Sequence, residues 1–254
     1  MSDSTNQPPE GGAASPEQPP LVLLRNPVGA GDDAARTARD GAPASPGQSS
    51  PPAARPELRI VDPRPMEERT RPPSTALRFA SPELLFAGLP EVTELTMQRP
   101  RAGEDGLDFL LRLRASTTPE EAVTYTAFAA LPERAAGWGY ECLRCMADHL
   151  NPMERPMMEM IAAWLAHPGT ATRHRVMKEA LYAPSRSPSV LLGLAVGWSS
   201  GGPAPNDSLR APEWRTPQAI NSAVLSCLAR ADLSRRPIYL ARFIDMAEAL
   251  FREY

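Results

Sequence analysis

Cys142, Cys145 and His149 stand at i, i+3 and i+7 within the stretch 131–150, LPERAAGWGYECLRCMADHL. On a helix this spacing would align two thiolates and an imidazole along one side, part of the ligand set of a tetrahedral zinc site, with His167 or Cys227 as the further ligand by tertiary contact. The same positions continue an apolar stripe of Ala135, Trp138 and Met146. Free cysteine is among the most buried residue types, so core packing is the expected role, and no metal or other cofactor is assigned. Gly197-Trp198-Ser199-Ser200-Gly201 matches the G-x-S-x-G pattern of a nucleophile elbow. That motif works only where the serine sits on a strained turn between a strand and a helix. Here a helical pattern precedes it and a loop follows, so a helix end is expected and no catalytic residue is assigned. His167, and His174 flanked by Arg173 and Arg175, offer a small anion-binding cluster; a solvated helix face is the simpler expectation.

Two further groups point to partners rather than to chemistry. Met153, Met157, Met158 and Met160, with Trp164, form a run that could repack against varied partners or fill a core. A helical period prevents all of them from facing one way, and Met153 and Met158 are expected to be exposed, which makes them candidate partner-binding residues. Toward the N-terminus, Leu21-Val22-Leu23-Leu24 and Leu58-Arg59-Ile60-Val61 are short apolar islands that could add a strand or a helical turn to a partner. Leu23 and Ile60 are their candidate contacts, although chance clustering in a linker is the reading that short runs favour. Thr70, within Glu67–Pro73, could be phosphorylated and read by an arginine-rich pocket.

The elements that must position these residues follow from composition and punctuation. The chain has 254 residues, 30 prolines and 16 glycines, and the prolines are concentrated before Phe79. Residues 1–78 are rich in Pro, Ala, Ser, Gly and Arg and nearly free of aromatics, so they cannot bury enough apolar surface to offset their ordering entropy and are expected to be a disordered tail. Residues 79–117 read as a transitional segment with short helices: Ser81-Pro82-Glu83 starts one, Leu89-Pro90 and Arg99-Pro100 break it, and 108–114 is a second. Residues 118–254 read as the helical domain. Thr118-Pro119-Glu120-Glu121 has the form of a capping box. Leu131-Pro132, Pro156, Thr172, Ser187-Pro188, Thr216-Pro217 and Arg236-Pro237 open or adjoin later helices. The helix over 190–198 carries no charged face and is expected at the centre. The fold class is therefore all-α: a single helical bundle, or a short stack of helical hairpins, of about six to seven helices after a long tail.

Charge and cysteine usage narrow the function classes. With 27 basic and 30 acidic residues, the formal charge of −3 gives no excess for nucleic acid or an anionic membrane. Lys178 is the sole lysine among the basic residues, the codon bias of a GC-rich, bacterial genome. Three cysteines, two close together in one helix, suit a reducing compartment rather than a disulfide framework. The N-terminus lacks the basic start and apolar run of a signal peptide, and no stretch approaches the roughly 18 apolar residues of a membrane span. A cytoplasmic location is expected.

The order of a Leu-Pro-started helix with aromatics and cysteines, a helix ending in a proline turn, a helix closing on Trp198-Ser199-Ser200-Gly201-Gly202 before Ala204-Pro205, and a final helix pair resembles an uncharacterised bacterial domain-of-unknown-function family. In that pattern the first helix carries Trp-Ala-Cys, where Tyr140-Glu141-Cys142 stands here, and a later helix ends in Trp-Ser-Gly-Gly before an Ala-Pro loop. The resemblance covers roughly 118–251. It implies a small helical domain without assigned activity or catalytic residues, associated with genes of the type VI secretion apparatus.

The expected function is a non-enzymatic protein-interaction module, an adaptor or accessory whose partner is a protein. The alternative is a small-ligand-binding or enzymatic domain with its site near the 199–214 loop, using Trp198, Asp207 and Trp214. A shallow apolar groove between helices would favour the first, and a closed pocket of convergent polar groups the second.

Overall fold

The structure, a computed structural model, describes residues 74–205, 207 and 209–254. Leu23, Ile60 and Thr70 lie outside these residues. The described chain forms ten α-helices: α1 (Pro82–Gly88), α2 (Glu91–Leu95), α3 (Gly106–Arg114), α4 (Glu121–Ala129), α5 (Pro132–Cys145), α6 (Arg155–Ala166), α7 (Thr170–Tyr182), α8 (Pro188–Trp198), α9 (Arg215–Leu228) and α10 (Arg236–Phe251). Among the described residues the sole β-type pairing is an isolated antiparallel bridge between Leu77 and Ala130. The all-α class follows.

Two helices form the centre. Every residue of α4 is buried, as are nearly all of α8, where Val190, Leu192, Ala195 and Val196 meet α9 and α5. The absence of a charged face placed α8 correctly. The burial of α4 is less evident from its sequence, because Glu121, Thr124 and Thr126 are polar; the fold satisfies each of them. Thr124 Oγ1 donates to Asn221 Oδ1 at 3.1 Å and Thr126 Oγ1 to the Ala122 carbonyl at 2.7 Å. Glu121 departs from the expected capping box. Its Oε1 accepts from the Thr118 hydroxyl at 2.6 Å, but Oε2 takes the backbone N–H groups of Met97 and Gln98 at 3.0 and 2.9 Å, and the Thr118 N–H donates to Ser116 Oγ instead. A buried carboxylate has to collect donors, and the loop before α3 supplies more of them than its own helix start.

The segment 79–117 belongs to the same core as the rest, where a transitional segment was expected. Leu85, Val92, Phe109, Leu110 and Leu113 are buried in one cluster with the later helices. Phe86, Phe109, Tyr125 and Phe251 form a chain of rings with successive centroids 5.8, 4.7 and 5.5 Å apart, linking α1, α3, α4 and α10. Residues 74–78, placed in the disordered tail by composition, are also ordered. Thr75 N–H donates to Glu253 O at 2.9 Å, Arg78 N–H to Ala129 O and Leu131 N–H to Ala76 O, both at 2.8 Å. Backbone pairing holds this stretch together with the burial of Ala76 and the packing of Leu77 on the core, and composition does not register pairing with distant residues. Leu85→Ala is accordingly expected to destabilise the domain by about 2 kcal/mol, the low end for a buried leucine because the short α1 can close over the space. Urea unfolding checks this, and an unchanged midpoint would remove α1 from the core.

Helices α7 and α8 approach closely along Gly193 and Gly197. A Cβ on Gly193 would lie 3.2 Å from Ala180 Cβ of α7 and 2.7 Å from Met157 Sδ of α6, and one on Gly197 would lie 2.6 Å from Met177 Cγ of α7. Two glycines four apart in an otherwise apolar helix are the sequence signal for that contact.

Candidate functional site

The organising helix is shorter than 131–150. α5 ends at Cys145, and a separate 3-10 turn, Ala147–His149, follows. The break separates the residues that a continuous helix would have aligned. Cys142 is fully buried, and burial pushes its thiol well above the ordinary value. Cys145 is half-buried and its sulfur accepts from Arg242 Nη1 at 3.9 Å. His149 Nε2 lies 3.3 Å from the Tyr239 hydroxyl, with the two rings edge to face. Cys227 Sγ sits 3.9 Å from Met146 Sδ, and its thiol, also buried, is pushed up to about 12. Each group has a different neighbour, and the buried Cys142 and Cys227 thiols, held protonated in this way, are neither nucleophiles nor ready ligands.

Ser199 lies on helical backbone (φ −57°, ψ −32°) at the end of α8, and its hydroxyl donates to the Val196 carbonyl at 2.8 Å. A helix-terminal serine bonded to its own last turn is not a nucleophile elbow. The Trp-Ser-Ser-Gly-Gly stretch instead has a structural cause. Trp198 Nε1–H donates to Pro203 O at 3.1 Å and closes the turn. A Cβ on Gly201 would overlap the Arg173 guanidinium, and one on Gly202 would lie 2.6 Å from the carbonyl oxygens of Asp207 and Leu209. Side chains at these two positions would block the turn.

Of the residues assigned to the alternative site, Trp198 and Trp214 are brought together by Arg215, whose guanidinium lies 5.2 and 5.8 Å from their ring centroids. Asp207 is apart from both; its Oδ1 accepts from Leu209 N–H at 2.9 Å and it lines a different cavity, beside Arg173 and His174. The expected solvated face at 173–175 needs correction. His167 and Arg175 are exposed, but Arg173 is only 7% exposed and points inward, where burial lowers its pKa.

The methionines divide. Met153 is 85% exposed at the rim of a cavity of about 570 Å³ shared with Met157, Met160, Tyr182 and Val190. Met158 is buried, contrary to the expectation of exposure: it packs in the main core with Ile161 and Trp164. The helix begins at Arg155, which turns that side of α6 inward. Below Met153, Glu154 is a buried carboxylate with a complete set of donors. Asn151 N–H gives 2.9 Å, Arg230 Nη1 2.5 Å, and both Ser189 N–H and Oγ 3.3 Å. Burial by itself would raise its pKa, but these bonds outweigh it and hold the carboxyl below the ordinary value.

A second depression was not foreseen. Between α5, the end of α6 and the C-terminal half of α10 runs an open groove of about 460 Å³. Its floor is Gly137, Trp138, Trp164, Leu165, Met246 and Leu250. Its rim carries Glu133, Glu141 and Glu253; Glu253 pairs with Arg134 on the rim, and Glu141 pairs with Arg144 beside it. Glu133 has no hydrogen-bond or ion-pair partner among the described residues. The stripe of α5 was legible as apolar, but its outer edge becomes a groove floor only because α6 and α10 stop short of covering it.

No group of three or more His, Cys, Asp or Glu side chains suited to a metal is found among the described residues, and no helix there is long and apolar enough to cross a membrane. No curated protein and no solved structure matches the chain. A sequence family described as a family of unknown function, DUF6931, matches residues 109–251, from α3 to α10 and more than half of the chain, and this protein belongs to that family.

Proposed function

We propose that this protein is a non-enzymatic interaction module whose groove between α5, α6 and α10 receives an apolar, amphipathic segment of a protein partner flanked by basic residues. The observation that carries this reading is the pairing of an aromatic and aliphatic floor with a rim on which Glu133 stands without a partner among the described residues beside the Arg134–Glu253 and Arg144–Glu141 pairs. An open apolar groove of this kind suits helix-in-groove recognition, in which anchors on one helix face give affinity and rim charges give orientation. The buried thiols of Cys142 and Cys227, the helix-bound Ser199 and the satisfied Glu154 offer no activated nucleophile or general base to support an enzymatic reading. The resemblance adds a setting, the type VI secretion apparatus, and a cytoplasmic adaptor role beside it; that link rests on the resemblance alone.

The test starts from the full chain as bait, with a crosslinker on the groove rim, and then measures binding of the crosslinked partner segment as a synthetic peptide. The peptide is expected to be amphipathic with Lys or Arg beside its apolar face. Ala249→Arg and Glu133→Lys, both at exposed positions, should weaken it at least ten-fold without moving the melting temperature, whereas Met153→Glu should leave affinity unchanged. An acidic peptide, or wild-type affinity for Ala249→Arg, would overturn the groove assignment. Loss confined to Met153→Glu would move the site to the methionine cavity, the second reading, which the exposure of Met153 and of Tyr182 (81%) favours.

A further inference from the structure

Arg173 is the sole arginine among the described residues that the fold buries, at 7% exposed. Arg112 pairs with Glu104 and Glu154 with Arg230, and the buried Glu121 carboxylate is held by two backbone N–H groups and a hydroxyl. Arg173 has no carboxylate partner among the described residues. Nη1 donates to the Gly197 carbonyl, at the negative end of α8, and Nη2 lies 3.0 Å from His174 Nε2. The helix end offsets only about half a unit charge, and the Nε–H, which has no acceptor among the described residues, is reached by solvent. A buried cation left in this state is costly unless an anion completes it.

The surroundings add to the positive field. Arg173 lies in the first turn of α7, a helix of 13 residues that starts at Gly169 with no side-chain cap and no acidic residue in its first turn. The backbone N–H groups at that end are therefore left for solvent or a ligand. Thr170, Arg173, His174, Gly201, Asp207 and Arg210 line a cavity of about 300 Å³ at this point, open to solvent. Its one carboxylate, Asp207, is engaged by Leu209 N–H. Gly201 lets its backbone pack against the guanidinium, where a Cβ would collide with it.

We propose that this cavity is an oxyanion site that takes a phosphate group, held by Arg173, Arg210 and the first-turn N–H groups of α7. The volume admits a small phosphorylated molecule as well as free phosphate. It is separate from the groove proposed for the protein partner: the two share no lining residue.

Calorimetric titration of the full chain with inorganic phosphate, and in parallel with glycerol 3-phosphate, tests this at constant ionic strength. Saturable one-to-one binding is expected, with sodium chloride giving none. Tighter binding of glycerol 3-phosphate would identify a phosphate ester as the ligand class, and tighter binding of inorganic phosphate the free ion. Arg210→Gln, at an exposed position, should weaken binding at least ten-fold. Thr170→Pro should weaken it several-fold: proline is tolerated at the first helical position, Gly169 is already extended (φ −161°, ψ 155°), and only a donor is removed. Arg173→Gln should abolish binding; because Arg173 also holds the end of α8, the other two variants keep the test decisive if it fails to fold. Absence of saturable binding to both probes, or wild-type affinity in both Arg210→Gln and Thr170→Pro, would overturn the proposal.

Discussion

Trp138→Ala is expected to lower the stability of the domain by about 3–5 kcal/mol, the range for removing a large buried aromatic. The indole is 5% exposed in the middle of α5, and its Nε1–H donates to the Phe243 carbonyl at 3.1 Å, so one side chain both fills space and ties α5 to α10. The substitution opens a cavity and leaves that carbonyl without its partner. Trp138→Phe should recover most of the packing and lose only the hydrogen bond, at a cost of about 1–2 kcal/mol. Urea unfolding separates the two variants; equal midpoints for Trp138→Ala and wild type would show that the indole is outside the core. The same residue forms the floor of the groove, so its loss would disturb partner binding through the fold. The binding test accordingly uses rim positions.

Glu154→Gln is the second large effect, about 3 kcal/mol. Breaking a buried ion pair costs about 3–5 kcal/mol, and the lower end applies because Arg230 is one-third exposed and can be rehydrated. The amide keeps the shape but turns an N–H₂ group toward donors that the carboxylate accepted. The loss is pH-dependent in a defined direction. Glu154 titrates lower in the folded protein than in the unfolded chain. The stability it contributes is therefore complete above the unfolded carboxyl value of about 4.3 and is lost as the pH falls through the folded value. The gap between wild type and Glu154→Gln, measured by urea unfolding across that window, should close on acidification. A gap that stays constant from neutral to acid pH would mean that the charge of Glu154 contributes nothing.

Much of the architecture was legible because proline and hydroxyl residues mark helix starts locally. Ser81-Pro82, Leu131-Pro132, Ser187-Pro188 and Arg236-Pro237 each stand at or beside an observed helix start, since the fixed φ of proline and its missing N–H act within one turn. The apolar stripe of α5 likewise gave the inward positions of Ala135, Trp138 and Cys142. Where the sequence misled, the deciding partner was distant. Glu121 was placed in a local capping box, but it binds N–H groups 24 and 23 positions earlier. Arg173 reads as part of a solvated basic face, yet the carbonyl that draws it inward belongs to a residue 24 positions later. Met158 follows from the register in which α6 packs, which periodicity leaves open when methionines stand on several faces.

By itself, then, the sequence determined the helical class, the helix starts, the central place of α8 and the core role of Cys142, because periodicity and capping are properties of neighbouring residues. Only the tertiary structure decided that 79–117 joins the core, that α6 and α10 leave the α5 edge open as a groove, and that Arg173 is buried with no carboxylate partner among the described residues. Burial, exposure and charge pairing are relations between helices, and they come into being when elements far apart in the chain close on one another.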